Sequence, residues 1–174
     1  MMNLIVTCAR HLEGETEDEL IDILGELGDS NVKISVSSMS GIITVQTKLD
    51  PIEVIRKMRE MLLDEPWSIR YCLRVIPVQK VVETNIDEIE KVISNMSEQI
   101  EEKEAYRILI EKRNSDISSK EIITKIANGM KNKVSLDFPD KIILIEILGI
   151  ITGISILKKS DILSLEKTKR SISD

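Results

Sequence analysis

The order of short apolar segments and capped helix starts constrains this chain most. Leu4 to Ala9 reads as a short apolar strand. Thr16-Glu17-Asp18-Glu19 has the form of a capping box, with Thr16 at the N-cap and Glu19 reaching back. The helix that follows sets Leu20, Ile21, Ile23, Leu24 and Leu27 on one stripe, and Gly28 is its expected stop. Val32, Ile34 and Val36 alternate with polar residues as a half-buried strand, Ser38-Met39-Ser40-Gly41 turns the chain, and Gly41 to Thr47 returns it. Asp50-Pro51-Ile52-Glu53 opens a second helix with Pro51 at its first position, and Pro66 ends it. Tyr71 to Gln79 supplies a last strand.

This βαββαβ order is the ferredoxin-like pattern, whose sheet sets the first and last strands side by side. Cys8 and Cys72 are then expected as neighbours and as buried thiols. A second module begins near Val82. Asn85 caps a helix with the stripe Ile86, Ile89, Val92, Ile93 and Met96. Tyr106 to Lys112 reads as a strand, Lys112 to Asp116 as a polar loop, and Ser118 as the cap of another helix. Lys133 to Leu136, Lys141 to Leu148 and Ile154 to Leu157 read as three further strands. The expected class is α+β: a ferredoxin-like domain over 1–80, an α/β domain over 81–168 and a frayed tail over 169–174.

Composition removes several function classes. Aromatics are 2% of 174 residues, so the core must be aliphatic and a surface stacking many bases is excluded. One histidine, His11, and two cysteines cannot assemble a Cys/His zinc site. His11 reads as an exposed loop residue, and no Ser or Cys nucleophile has a base partner, so neither catalytic residues nor a cofactor are expected. The opening Met1 to Val6 lacks a basic n-region, and the longest apolar run, Ile142 to Leu157, is broken by Glu146, Gly149 and Gly153. A soluble cytoplasmic protein is expected, with no membrane partner.

The net charge of −6 excludes a uniformly basic nucleic-acid binder, yet its distribution is uneven. Residues 1–102 hold 10 basic and 20 acidic side chains, net −10; residues 103–174 hold 14 and 10, net +4. Such asymmetry suggests that the second part meets a polyanion. Lys112, Arg113 and Asn114 lie between a strand end and a capped helix start, where a helix N-terminus favours phosphate. Lys158 and Lys159 also follow a strand, and if it runs parallel to the first, both basic pairs share one rim. Lys131 and Lys133 lie at the far end of the helix, where cations also complement the dipole.

The second module resembles a THUMP domain, an RNA-binding module of tRNA-modifying proteins. The resemblance rests on Tyr106-Arg107-Ile108, Glu111-Lys112-Arg113-Asn114, Lys133-Val134, Leu136-Asp137-Phe138-Pro139-Asp140, Ile145 to Gly149 and Ile154 to Leu157, over roughly residues 84–168. It implies a grip on the acceptor stem and 3′ CCA end of tRNA, with Lys112, Arg113 and Asn114 in the family's basic loop and Lys133, Asp137 and Pro139 in its second motif; the residues expected to touch RNA are Arg107, Lys112, Arg113, Asn114, Lys131, Lys133, Lys158 and Lys159. These 174 residues hold no Gly-rich cofactor loop and no H-x-E with C-x-x-C pair. The chain therefore resembles stand-alone THUMP adaptors that assist N4-acetylation of a tRNA cytidine by a separate acetyltransferase. The competing reading is a regulatory module that binds a small molecule between two α/β domains.

Overall fold

The computed structural model describes residues 1–173. The chain divides into two compact units, Met1–Val78 with Ser160–Asp174, and Gln79–Lys159. The first boundary falls inside the stretch read as one strand. The chain there forms two strands in different sheets, β4 (Arg74–Pro77) and β5 (Lys80–Glu83). The second boundary shortens the expected 81–168 domain. Beyond Lys159 the chain rejoins the first unit, where β9 (Leu163–Ser164) pairs with β4 and α5 (Leu165–Ser173) contacts α2. The segment read as frayed is thus helical through Ser173; Asp174 lies outside the described residues.

The first unit is one antiparallel sheet with its core under two helices. Its remaining elements are β1 (Leu4–Thr7), α1 (Glu13–Leu27), β2 (Lys33–Val36), β3 (Ile42–Gln46) and α2 (Pro51–Asp64). The strand order is β2-β3-β1-β4-β9, so the first and last strands of the βαββαβ series are neighbours. Leu4, Val6, Leu20, Leu24, Val45, Ile55, Met58 and Leu62 fill the core, an aliphatic set, as the scarcity of rings requires. Asp50 caps α2 by accepting from the Ile52 N–H at 2.9 Å. Gly28 ends α1 in the left-handed region at φ 117°, where a side chain is costly.

The start of α1 differs from the expected capping box. The helix begins three residues before Thr16, behind Leu12, which makes no side-chain cap. The Thr16 hydroxyl donates back to the Leu12 carbonyl at 2.6 Å. Glu19 is thereby released for a tertiary task. Its carboxylate accepts from the N–H groups of Arg70, Tyr71 and Cys72 at 2.8, 3.0 and 3.0 Å. Those three donors belong to the approach to β4, which has no ladder partner for them, and the charged acceptor satisfies all three.

The second unit adds α3 (Ile86–Met96), β6 (Tyr106–Arg113), α4 (Ser119–Asn128), β7 (Lys141–Leu148) and β8 (Ile151–Leu157) to β5. The sheet order is β5-β8-β7-β6; β6 and β7 are parallel and the other pairs antiparallel. Ile89, Ile93, Ile122, Ile126, Ile143, Ile145, Ile154 and Ile156 pack together beside Tyr106. Asn85 and Ser118 cap α3 and α4 as expected, accepting from N–H groups of the first turns. Residues 133–136 do not make a strand; only Val134 bridges to Tyr106.

Candidate nucleic-acid interface

Strand direction decides where the eight expected cationic and polar residues fall. β6 ends at Arg113 beside the end of β7 at Leu148, while β8 runs the other way and ends beside the start of β7. Lys158 and Lys159 therefore lie at the opposite end of the sheet from Lys112, Arg113 and Asn114. The expected single rim divides into two.

At the carboxyl end of β6 the side chains are engaged. The Arg113 guanidinium pairs with Glu146 at 3.1 Å, and that carboxylate is 1% exposed. The Lys112 ammonium donates to the Ile117 carbonyl at 2.9 Å. Asn114 adopts φ 53°, a left-handed conformation that turns the chain toward α4. A cleft of about 560 Å³ opens here, lined by Glu83, Thr84, Asn114, Ser115, Asp116, Gly149, Ile150 and Ile151. Its lining holds two carboxylates and no cation, and the Lys112 and Arg113 side chains beside it are engaged by the Ile117 carbonyl and by Glu146.

At the other end of the sheet the cations gather. Arg107 follows the first residue of β6, and its guanidinium reaches the Leu136 carbonyl at 3.4 Å. Lys131 and Lys133 stand exposed on the segment that leads from α4 back to β6, whose Lys133 carbonyl accepts from the Tyr106 N–H at 2.9 Å. Lys158 and Lys159 leave β8 at this end, exposed. Lys141 is withdrawn: it binds Glu104 at 2.8 Å, and that bond, with Lys158 adding its field, holds the Glu104 carboxyl below its ordinary range.

The sequence missed the apolar part of this rim. Val134, Leu136 and Phe138 are all exposed, Phe138 at 87%. They sit on a loop that is pinned rather than loose. The Ser135 N–H donates to the Tyr106 carbonyl, the Phe138 N–H to the Ser135 hydroxyl, and the Asp140 carboxylate accepts from the Ala105 N–H. Asn132 reaches the carbonyls of Glu101 and Glu104. Lys133 to Leu136 read as a strand. The signal to the contrary was Pro139 before Asp140, which argues against continuing a ladder.

Charge follows the same geometry. Divided at the structural boundary, the second unit holds 13 basic and 14 acidic residues, net −1, and the first holds 11 and 16, net −5. The apparent basic half arose from a division at residue 102 that cut acidic α3 away from its own unit. Within that unit Arg107, Lys131, Lys133, Lys158 and Lys159 share one end of the sheet with Glu101, Glu104, Asp137 and Asp140. The first unit carries an acidic cleft of about 530 Å³ whose lining includes Glu15, Asp18, Asp22, Glu26 and Glu65, a surface that repels phosphate. Among the described residues no group of three or more His, Cys, Asp and Glu could hold a metal ion. No helix among them is long and apolar enough to cross a membrane.

The family model of the THUMP domain matches residues 83–157, which lie within the second unit, so the chain carries a THUMP domain. No curated protein matches the chain. Among solved structures it is similar to PH1313 from Pyrococcus horikoshii Ot3, at 21% identity and a TM-score of 0.63, over 91% of this chain and 55% of that one. It is similar to TrmN from Thermus thermophilus at 12% identity and a TM-score of 0.60, over 90% and 45%. A 4-thiouridine synthetase solved with RNA and bound ATP aligns at 11% identity and a TM-score of 0.54, over 94% and 42%. At these identities the likeness is one of fold, and it runs through both units. The chain spans about half the length of the solved proteins it matches.

Proposed function

We propose that the protein is a non-catalytic, cytoplasmic RNA-binding adaptor. It takes tRNA by its acceptor stem and 3′ CCA end and presents it to a separate modification enzyme, an RNA cytidine N4-acetyltransferase on the resemblance above. The observation that carries this reading is the THUMP match over 83–157 on a unit that gathers Arg107, Lys131, Lys133, Lys158 and Lys159 at one end of its sheet. The RNA bound by the 4-thiouridine synthetase of like fold supports it.

The physical account is simple. Duplex RNA hides its base edges in a deep groove, so the cations read phosphate and shape, and the exposed apolar loop offers faces to unpaired bases. Holding the tRNA end at a fixed place raises the effective concentration of a distant nucleotide at the partner enzyme without new chemistry. The acidic first unit contributes reach and limits nonspecific binding.

Titrating labelled tRNA at several salt concentrations tests the reading. With about four phosphates neutralised, log affinity falls against log salt with a slope of roughly −3. tRNA trimmed of its CCA end binds more weakly than intact tRNA. No binding at low salt, or binding indifferent to salt, overturns the proposal. Equal affinity for intact and trimmed tRNA removes the CCA assignment alone.

A further inference from the structure

Two buried thiols play no part in the RNA reading. Cys8 follows β1 and Cys72 precedes β4, and both are free. The regular register of these strands ends at Thr7↔Arg74. Pro77 has no N–H and lies opposite Leu4, while the Val78 N–H donates to the Asn3 carbonyl at 2.9 Å. The hydrogen-bonded pairs therefore fall on Asn3, Ile5 and Thr7 of the first strand.

Past that point the register slips by one residue. The Leu73 N–H reaches the Thr7 carbonyl at 2.8 Å, so Leu73 and Arg74 both oppose Thr7. This is a β-bulge, and beyond it Cys8 and Cys72 end the two strands on the same side. Leu4, Val6 and Cys8 point toward the helices, Val75 joins them from β4, and Cys72 lies in the same buried cluster. Neighbouring antiparallel strands carry facing Cα atoms about 4.5–5.5 Å apart, within the window that a disulfide spans.

We propose that Cys8 and Cys72 are an oxidative modification site: a peroxide closes them into a reversible intramolecular disulfide that joins the ends of β1 and β4. Cys8 is the more exposed, 7% against 2%, and meets the oxidant first. Its sulfur attacks the peroxide, the O–O bond breaks, and Cys8 becomes a sulfenic acid as one water leaves. The Cys72 sulfur then attacks the Cys8 sulfur; its S–H and the S–OH bond break, the S–S bond forms, and a second water leaves. The Glu19 carboxylate, which accepts from the Cys72 N–H at 3.0 Å, favours the protonated Cys72 thiol, so the proton leaves with the departing hydroxide as that water. Burial pushes both thiols above their ordinary range, Cys72 further, which slows their oxidation.

The test uses the full chain, reduced and then exposed to hydrogen peroxide. After unfolding and alkylation with N-ethylmaleimide, the expected product is a monomer lighter by two hydrogens that carries no adduct. Its tryptic digest joins the Cys8 and Cys72 peptides, and dithiothreitol restores two alkylatable thiols. Cys8→Ser and Cys72→Ser each abolish the internal link, and the digest of the unmodified sequence decides the matter even if a variant folds poorly. Two alkylated cysteines after oxidation, a link only between separate chains, or sulfinic acid on Cys8 with Cys72 still free would each overturn the proposal.

Discussion

Replacing Arg113 by methionine separates a structural cation from a ligand-binding one. The guanidinium lies 3.1 Å from Glu146, whose side chain is 1% exposed. Methionine keeps much of the volume and removes the charge, leaving a buried carboxylate without that partner. Breaking a buried pair from one side costs about 3–5 kcal/mol. For a chain of this size each kcal/mol lowers the melting midpoint by about 2–4 °C, so the protein should melt roughly 6–20 °C lower. Urea unfolding followed by circular dichroism measures this. The double variant Arg113→Met/Glu146→Gln removes the buried charge and should recover part of the loss. A melting midpoint within a degree or two of the parent, together with lost tRNA affinity, would refute the reasoning and return Arg113 to the RNA surface.

Lys133→Glu, on the exposed rim, should weaken tRNA binding and reduce the salt slope by about 1 while leaving the melting midpoint unchanged, as a filter-binding series in salt would register. Glu19→Ala removes the shared acceptor of three N–H groups and should destabilise the first unit by about 2 kcal/mol; hydrogen exchange at residues 70–72 should accelerate most. Asp29 is buried and accepts from the Thr47 hydroxyl at 2.6 Å, which holds its carboxyl below the ordinary range. Its contribution is therefore present above about pH 4 and lost as pH falls through the depressed folded value, so Asp29→Asn should flatten the acid side of the stability curve.

Local chemistry announced much of the fold. Asp50, Asn85 and Ser118 act as helix caps because their oxygens reach N–H groups two or three residues away, a geometry contained in the sequence itself. Leu20, Ile23 and Leu24 of α1, Ile89 and Ile93 of α3 and Ile122 and Ile126 of α4 point inward for the same reason, since helical spacing alone sets which residues share a face, while Ile21, read into the α1 stripe, is exposed. Thr16 and Glu19 had the right spacing for a capping box, but the helix begins earlier, and the carboxylate is drawn off by backbone donors some fifty residues away. The same holds for Arg113, whose exposed-loop appearance gave no hint of the carboxylate on the neighbouring strand.

The eight nominated residues show where such reasoning ends. Periodicity establishes that β6 and β8 exist, but nothing in a strand's own residues states whether it runs with or against another. That direction placed Lys158 and Lys159 with Arg107, Lys131 and Lys133, and left Lys112, Arg113 and Asn114 at the far end. Side-chain spacing within an element is a short-range property, so residue order alone prescribed α2, α3 and α4 with their caps and the aliphatic character of both cores. Which cations lie together and which carboxylate claims Arg113 are relations between distant segments. They came into being only when the sheets closed, because register, strand direction and bulges are set by pairing rather than by composition.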